Sequence, residues 1–227
     1  QDTANQKMIK TILFDIDNTL IDFMKMKKMC IDAATDAMIS AGIKMEKEDI
    51  KKKLFELYKE RGIEYEYIFQ DFLKSINGKV DYKILASAIV AYRKVRVGLL
   101  EHYPGVEKTL IKLKEKGLKL GIVTDAPKLK AWIRLVSMGI EDFFDVVVCS
   151  GKNKKPHSLP FKKALKQLKA EPSETLMVGD SPTRDIQGAK ELGMKTCFAR
   201  YGYAGEREIG KIADYELERF EDLLKIV

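Results

Sequence analysis

Two carboxylates stand two residues apart in Asp15-Ile16-Asp17-Asn18-Thr19, directly after the apolar run Ile9, Ile12, Leu13 and Phe14. A buried strand thus runs out into a loop that carries two negative charges. Such charges need a cation, hydrogen-bond donors or solvent, because an unpartnered buried carboxylate is strongly disfavoured. A divalent metal ion is one candidate. A polar turn in which Asp15 and Asn18 accept nearby backbone N–H groups is the plainer alternative.

Three further segments narrow the choice. Thr124 closes the run Leu120-Gly121-Ile122-Val123 and offers a hydroxyl followed by backbone amides. Lys155, in Lys154-Lys155-Pro156-His157, supplies a point charge. Gly179-Asp180-Ser181-Pro182-Thr183-Arg184-Asp185 follows Leu176-Met177-Val178 and adds two carboxylates. Carboxylates for a cation, together with a hydroxyl, an ammonium and free amides, match a phosphate and its metal. Phosphoryl transfer depends mainly on charge neutralisation and in-line positioning. An all-oxygen donor set favours Mg2+.

These segments must be brought to one place by the elements that carry them. Apolar runs alternate with amphipathic helical patterns, first at residues 9–15 and again after about residue 104. Strands are predicted at Leu118 to Thr124, Phe144 to Cys149, Thr175 to Gly179 and Lys195 to Ala199, with a weaker one near Ala213 to Leu217. Helices are predicted near 106–116, 127–138, 159–169, 184–192 and 219–226. Gly117, Gly139 and Gly193 fall just past three of them, where a left-handed cap calls for glycine. The alternation implies an α/β fold with a doubly wound parallel sheet, in which ligands bind beyond the carboxyl ends of the strands.

Residues 22–100 break the rhythm. Met26, Cys30, Ala33 and Ala37 share a helical face, and so do Ile50, Leu54, Leu57 and Arg61. Ile68, Phe69, Phe72, Leu73 and Ile76 follow the same spacing, as do Ile84, Leu85, Ala88, Ile89 and Tyr92. The expected organisation is a core of residues 8–21 and 101–227 with an all-helical insert, residues 22–100. Met24, Met26 and Met29 are expected to pack inside that insert.

Composition excludes several classes. A chain of 227 residues with 45% hydrophobic and 33% charged residues reads as globular, without an apolar run long enough to span a bilayer. Residues 1–6 lack the apolar segment of a secretory signal. Cys30, Cys149 and Cys197 are widely spaced among apolar neighbours, as expected of reduced, buried thiols in a cytoplasmic protein. With only His102 and His157, a histidine-rich zinc site or a Ser-His triad is not indicated. The formal charge of +7 is dispersed, so a nucleic-acid surface is not expected, although it suits an anionic substrate. No GxGxxG follows any strand.

In this order, the four segments resemble the motifs of the haloacid dehalogenase superfamily. These are DxDxT at Asp15 to Thr19, an apolar run ending in Thr124, Lys155 before a proline, and GDxxxxD at Asp180 to Asp185. The insert is similar to the helical cap of one large subclass. The resemblance implies that Asp15 is a nucleophile forming an aspartyl-phosphate, and that Asp17 protonates the leaving oxygen and then activates water. Thr124, Asp125 and Lys155 would bind the phosphoryl group. Mg2+ would be held by Asp15, the Asp17 carbonyl and Asp180, with Asp185 in support directly or through water, while Thr19 orients the first loop. Asp125 stands where many relatives have Asn, and Ser158 replaces a common proline.

The expected activity is therefore Mg2+-dependent hydrolysis of a small phosphorylated metabolite. A sugar phosphomutase is the nearest alternative. A dehalogenase generally lacks the aspartate at position 17, and a non-catalytic binder usually lacks part of the motif set.

Overall fold

The computed structural model describes residues 8–205 and 210–227. Packing divides the chain into two units, one running to Asp22 and resuming at Glu101, the other Phe23–Leu100.

The first unit is built on a six-stranded, wholly parallel sheet. Its strands are β1 (Thr11–Phe14), β2 (Lys119–Thr124), β3 (Val146–Cys149), β4 (Thr175–Gly179), β5 (Lys195–Ala199) and β6 (Tyr215–Leu217), in spatial order β3-β2-β1-β4-β5-β6. β1 and β4 are buried along their whole length, as strands covered by helices on both faces must be. From β1 the chain winds outward to β2 and β3, then returns to the other side for β4, β5 and β6. The switch in direction falls between β1 and β4, and that is where such sheets open a crevice for ligands. Phe14 is in register with Val178, so the residues that follow, Asp15 and Gly179-Asp180, leave the sheet side by side.

The second unit contains four helices: α1 (Phe23–Ser40), α2 (Lys47–Arg61), α3 (Ile68–Asn77) and α4 (Tyr82–Gly98). Ile31, Ala34, Met38, Ile50, Leu54, Phe72, Leu73, Ile84 and Ala88 form its apolar core. Asp81 caps α4 by accepting from the N–H groups of Lys83 and Ile84 at 2.9 and 3.2 Å. Only part of the methionine cluster is packed: Met26 is buried, whereas Met29 is 43% exposed because it falls off the apolar stripe. Lys27 is buried in this unit, its Nζ 4.2 Å from the Tyr58 ring centre and 3.1 Å from Tyr92 Oη.

In the first unit, the helices between strands are α5 (Val106–Glu115), α6 (Lys128–Met138), α7 (Ser158–Leu168) and the short α8 (Gly188–Lys190). Gly117, Gly139 and Gly193 all have positive φ at the positions expected of them. Two expected α-helices take other forms. In place of a helix over 184–192 there is a π-helix, Pro182–Gln187, followed by α8. There the Ile186 N–H reaches back to Ser181 O at 3.2 Å, while Ser181 Oγ accepts from Arg184 N, so a polar side chain replaces part of the usual ladder. The segment predicted at 219–226 is a 3-10 helix, Phe220–Lys225. Its two buried side chains, Phe220 and Leu223, are spaced three apart, which a three-residue turn places on one side. The cysteines are free, with Cys30 and Cys197 buried and Cys149 half-buried on β3.

Candidate active site

The predicted site residues lie at the carboxyl ends of strands or on the segments that follow them. Asp15 immediately follows β1, and its N–H donates to Val178 O at 3.0 Å, continuing the ladder one step past the last apolar residue. Asp180 immediately follows β4. One ligand oxygen from each of Asp15, Asp180 and Asp185 lies within 4.8 Å of the others, and all three residues are buried. Asp185 is delivered by the π-helix, and its Oδ2 accepts from the Ser181 N–H at 3.0 Å. At Gly179 a Cβ would overlap the Asp185 carboxylate, so glycine at the end of β4 makes the room that Asp185 occupies.

Lys155 completes the cluster from the loop after β3. Its ammonium lies 2.9 Å from Asp15 Oδ1 and 2.6 Å from Asp185 Oδ1, and it also donates to Val123 O at 2.9 Å. The neighbouring Lys152 and Lys154 are exposed. Burial alone pulls the ammonium's proton affinity down, but the charges of Asp15 and Asp185 outweigh it and leave the group raised and cationic. Lys155, with the Arg184 guanidinium further off, only partly offsets the three buried carboxylates. Burial, then the charges of Asp15 and Asp185, push Asp180 up to about 8. Burial and Asp15 push Asp185 to about 6 against the opposing pull of Lys155.

This donor set fits a hard divalent cation. Asp180 Oδ1 is buried and accepts no hydrogen bond among the described residues. The clustered donors are all carboxylate oxygens, the hard ligands that Mg2+ prefers. Asp185, already held by Lys155 and the Ser181 N–H, is suited to support the cation rather than to be its main ligand.

Thr124 ends β2 with 1% exposure, and its hydroxyl oxygen accepts from the Ala126 N–H at 3.1 Å. That bond leaves the hydroxyl hydrogen for an anion. The Asp125 side chain is engaged by protein groups. Its Oδ1 accepts from the Lys155 N–H at 3.0 Å, and its Oδ2 lies 3.8 Å from Arg184 Nη1. A carboxylate repels phosphate, so the group it can lend to an anion is its own backbone N–H. The side chain ties the β2 end to the loop that carries Lys155.

Asp17 lies in a tightly held loop. Asn18 adopts φ 58°, its N–H donates to Ile21 O at 2.7 Å, and its side chain reaches Asp180 Oδ2 at 3.5 Å. Tyr201 Oη donates to Thr19 O at 2.6 Å, so Thr19 sits where the loop is pinned. Gly202 passes so close to the Asn18 carbonyl that a Cβ would overlap it. The Asp17 carboxylate is approached by a buried guanidinium, with Arg134 Nε 3.0 Å from Oδ1.

Arg134, Arg184 and Tyr201 were not singled out from the sequence. Arg134 did leave a signal, since it shares the i, i+3, i+4, i+7 face of α6 with the apolar Ala131, Leu135 and Met138, and a charge at a core-facing position implies a partner.

The family model for haloacid dehalogenase-like hydrolases matches residues 12–199. The chain is 39% identical over 222 residues to the glyceraldehyde 3-phosphate phosphatase of Methanocaldococcus jannaschii, covering 97% of both chains. It is 33% identical to the pyrophosphatase PpaX of Halalkalibacterium halodurans, covering 96% of this chain and 97% of that one. Among solved structures, a HAD phosphatase from Thermococcus onnurineus superimposes with a TM-score of 0.67 at 29% identity, over 96% of this chain and 97% of that one. With the sheet order, the strand-end cluster and these likenesses in agreement, the chain belongs to the haloacid dehalogenase-like hydrolase family.

Proposed function

We propose that the chain is a Mg2+-dependent phosphatase whose substrate is a small, three-carbon phosphate ester of the glyceraldehyde 3-phosphate type. The observation that carries the chemistry is the buried nest in which Lys155 faces Asp15 and Asp185 with Asp180 alongside. The substrate class rests on the extent of likeness to the archaeal phosphatase, 39% identity over nearly the full length of both chains.

In this reading Asp15 attacks phosphorus. Its oxygen bonds to phosphorus as the ester P–O bond breaks, giving an aspartyl-phosphate. Asp17 gives a proton to the departing oxygen and then takes one from the water that hydrolyses the intermediate. Lys155, the Thr124 hydroxyl and the Asp125 N–H hold the transferring phosphoryl oxygens. Asp15, Asp180 and the Asp17 carbonyl would hold Mg2+, supported by Asp185, and bound Mg2+ supplies positive charge to the phosphoryl oxygens. The 23–100 unit is assigned to discrimination among leaving groups.

The likeness to PpaX favours inorganic pyrophosphate as a second reading. Phosphate release from glyceraldehyde 3-phosphate, pyrophosphate, phosphoglycolate and glucose 6-phosphate, each with and without Mg2+, decides between them. The triose phosphate is expected to give the highest kcat/KM and to require the metal. A preference for pyrophosphate would replace the first reading, and interconversion of sugar phosphates without phosphate release would indicate a mutase.

A further inference from the structure

Arg134 is 3% exposed and lies on the buried face of α6, where its Nε stands 3.0 Å from Asp17 Oδ1. Arginine does not lose its proton in proteins. A guanidinium withdrawn from water therefore keeps both its charge and its need for a carboxylate, and the contact with Asp17 is a lasting one. Other anchors of the loop act on its backbone: Asn18 N–H to Ile21 O, Tyr201 Oη to Thr19 O, and Gly202 against the Asn18 carbonyl. They hold the backbone on either side of Asp17, whereas the carboxylate lies at the end of two side-chain torsions. Arg134 acts on that carboxylate directly, from a rigid helix.

We propose that Arg134 is a positioning residue for Asp17, holding its carboxylate in the orientation that proton exchange requires. The proposal rests on the phosphatase reading above. In the first half-reaction the Asp15–phosphorus bond forms, the ester P–O bond breaks, and the departing oxygen takes the proton from the Asp17 carboxyl. In the second, water oxygen bonds to phosphorus, its proton passes to the Asp17 carboxylate, and the Asp15–phosphorus bond breaks. Arg134 stays charged through both halves and neither gives nor takes a proton. A general acid–base misplaced by a fraction of a hydrogen-bond length loses most of its effect, so the anchor bears on turnover more than on substrate affinity.

The test is a double-mutant cycle on the Mg2+-loaded protein with Asp17→Asn, Arg134→Met and the double variant, alongside Arg134→Lys. Melting curves establish that each is folded. Arg134→Gln takes the place of Arg134→Met in the cycle if the latter does not fold. Arg134→Met is expected to lower kcat by about 10- to 100-fold with KM within about threefold of wild type, and Arg134→Lys to restore part of the loss. In the Asp17→Asn background the same change is expected to cost less than about twofold, because the group it positions is gone. Equal losses in both backgrounds would overturn the proposal, as would a rise in KM at unchanged kcat, which would make Arg134 a substrate-binding group. The underlying reading fails separately, if Asp17→Asn alone turns over at the wild-type rate.

Discussion

Lys155 Nζ lies 2.9 Å from Asp15 Oδ1, and both side chains are buried. The same ammonium lies 2.6 Å from Asp185 Oδ1, so it is the cation that lets two strand-end carboxylates share one pocket. Removing one partner of a buried, hydrogen-bonded charge cluster costs about 3–5 kcal/mol, because the remaining charges stay in a poorly solvated place. Lys155→Met is therefore expected to lose roughly that much stability in urea at pH 8. Adding Asp185→Asn should recover part of it by removing one stranded charge. If Lys155→Met alone unfolds at the wild-type urea concentration, the cluster is not held by this lysine.

Asp15→Asn should abolish turnover while leaving the fold in place. An amide is a poor nucleophile toward phosphorus and a poor ligand for Mg2+, and loss of the attacking group is expected to lower kcat by at least about 1,000-fold. The relief of like-charge repulsion on Asp180 and Asp185 should also keep the metal-free variant at least as stable as wild type. Phosphate release and circular dichroism together check both halves. Near wild-type activity in a folded Asp15→Asn protein would remove Asp15 as the nucleophile.

The raised carboxyl of Asp180 sets the pH dependence of the metal-free protein. Burial and the neighbouring Asp15 and Asp185 charges lift it from 3.8 to about 8, so between these values the folded chain binds more protons at this group than the unfolded chain. The stabilisation from the protonated form is complete below the unfolded value and is lost as pH rises through about 8. The melting temperature without metal should accordingly fall between pH 5 and pH 8.5, and Asp180→Asn should flatten that fall. Mg2+ should raise the melting temperature more at pH 8.5 than at pH 5, since it binds the ionised carboxylates. A pH-independent melting temperature in the absence of metal would contradict the crowding of charge.

Gly179→Ala tests the space behind Asp185. Gly179 is the last residue of β4, with no left-handed backbone requirement, so what alanine meets there is the overlap between its Cβ and the Asp185 carboxylate. Displacing that side chain would loosen its contacts with Lys155 and the Ser181 N–H. Overpacking of this kind costs about 1–3 kcal/mol. Urea unfolding and kcat should both report it, whereas wild-type values for both would show that Asp185 has room to move without consequence.

The residue types and order along the chain determined the parallel sheet and the set of strand-end groups Asp15, Asp17, Thr124, Lys155, Asp180 and Asp185. The physical reason is that an apolar run ending abruptly in a carboxylate, hydroxyl or ammonium marks both a buried strand and the place where its ligand-facing end emerges. In a parallel sheet all such ends lie on one side. The helical periodicity of residues 23–98 was equally legible. The tertiary structure decided which groups meet. Side-chain pairing across elements leaves no periodic trace, so nothing in residues 128–138 names Asp17 as the partner of Arg134. For the same reason, nothing near Asn18 foretells that Gly202 and Tyr201 close over its loop. Asp125 illustrates the difference within one residue. Its place after Thr124 marked it for the phosphate site, but the Lys155 N–H, thirty residues away in sequence, claims its carboxylate and turns it into a tether between two loops. The π-helical turn over Pro182–Gln187 likewise coincides with side-chain contacts, Ser181 Oγ accepting from Arg184 N and Asp185 reaching Lys155, and the Lys155 contact exists only in the folded chain.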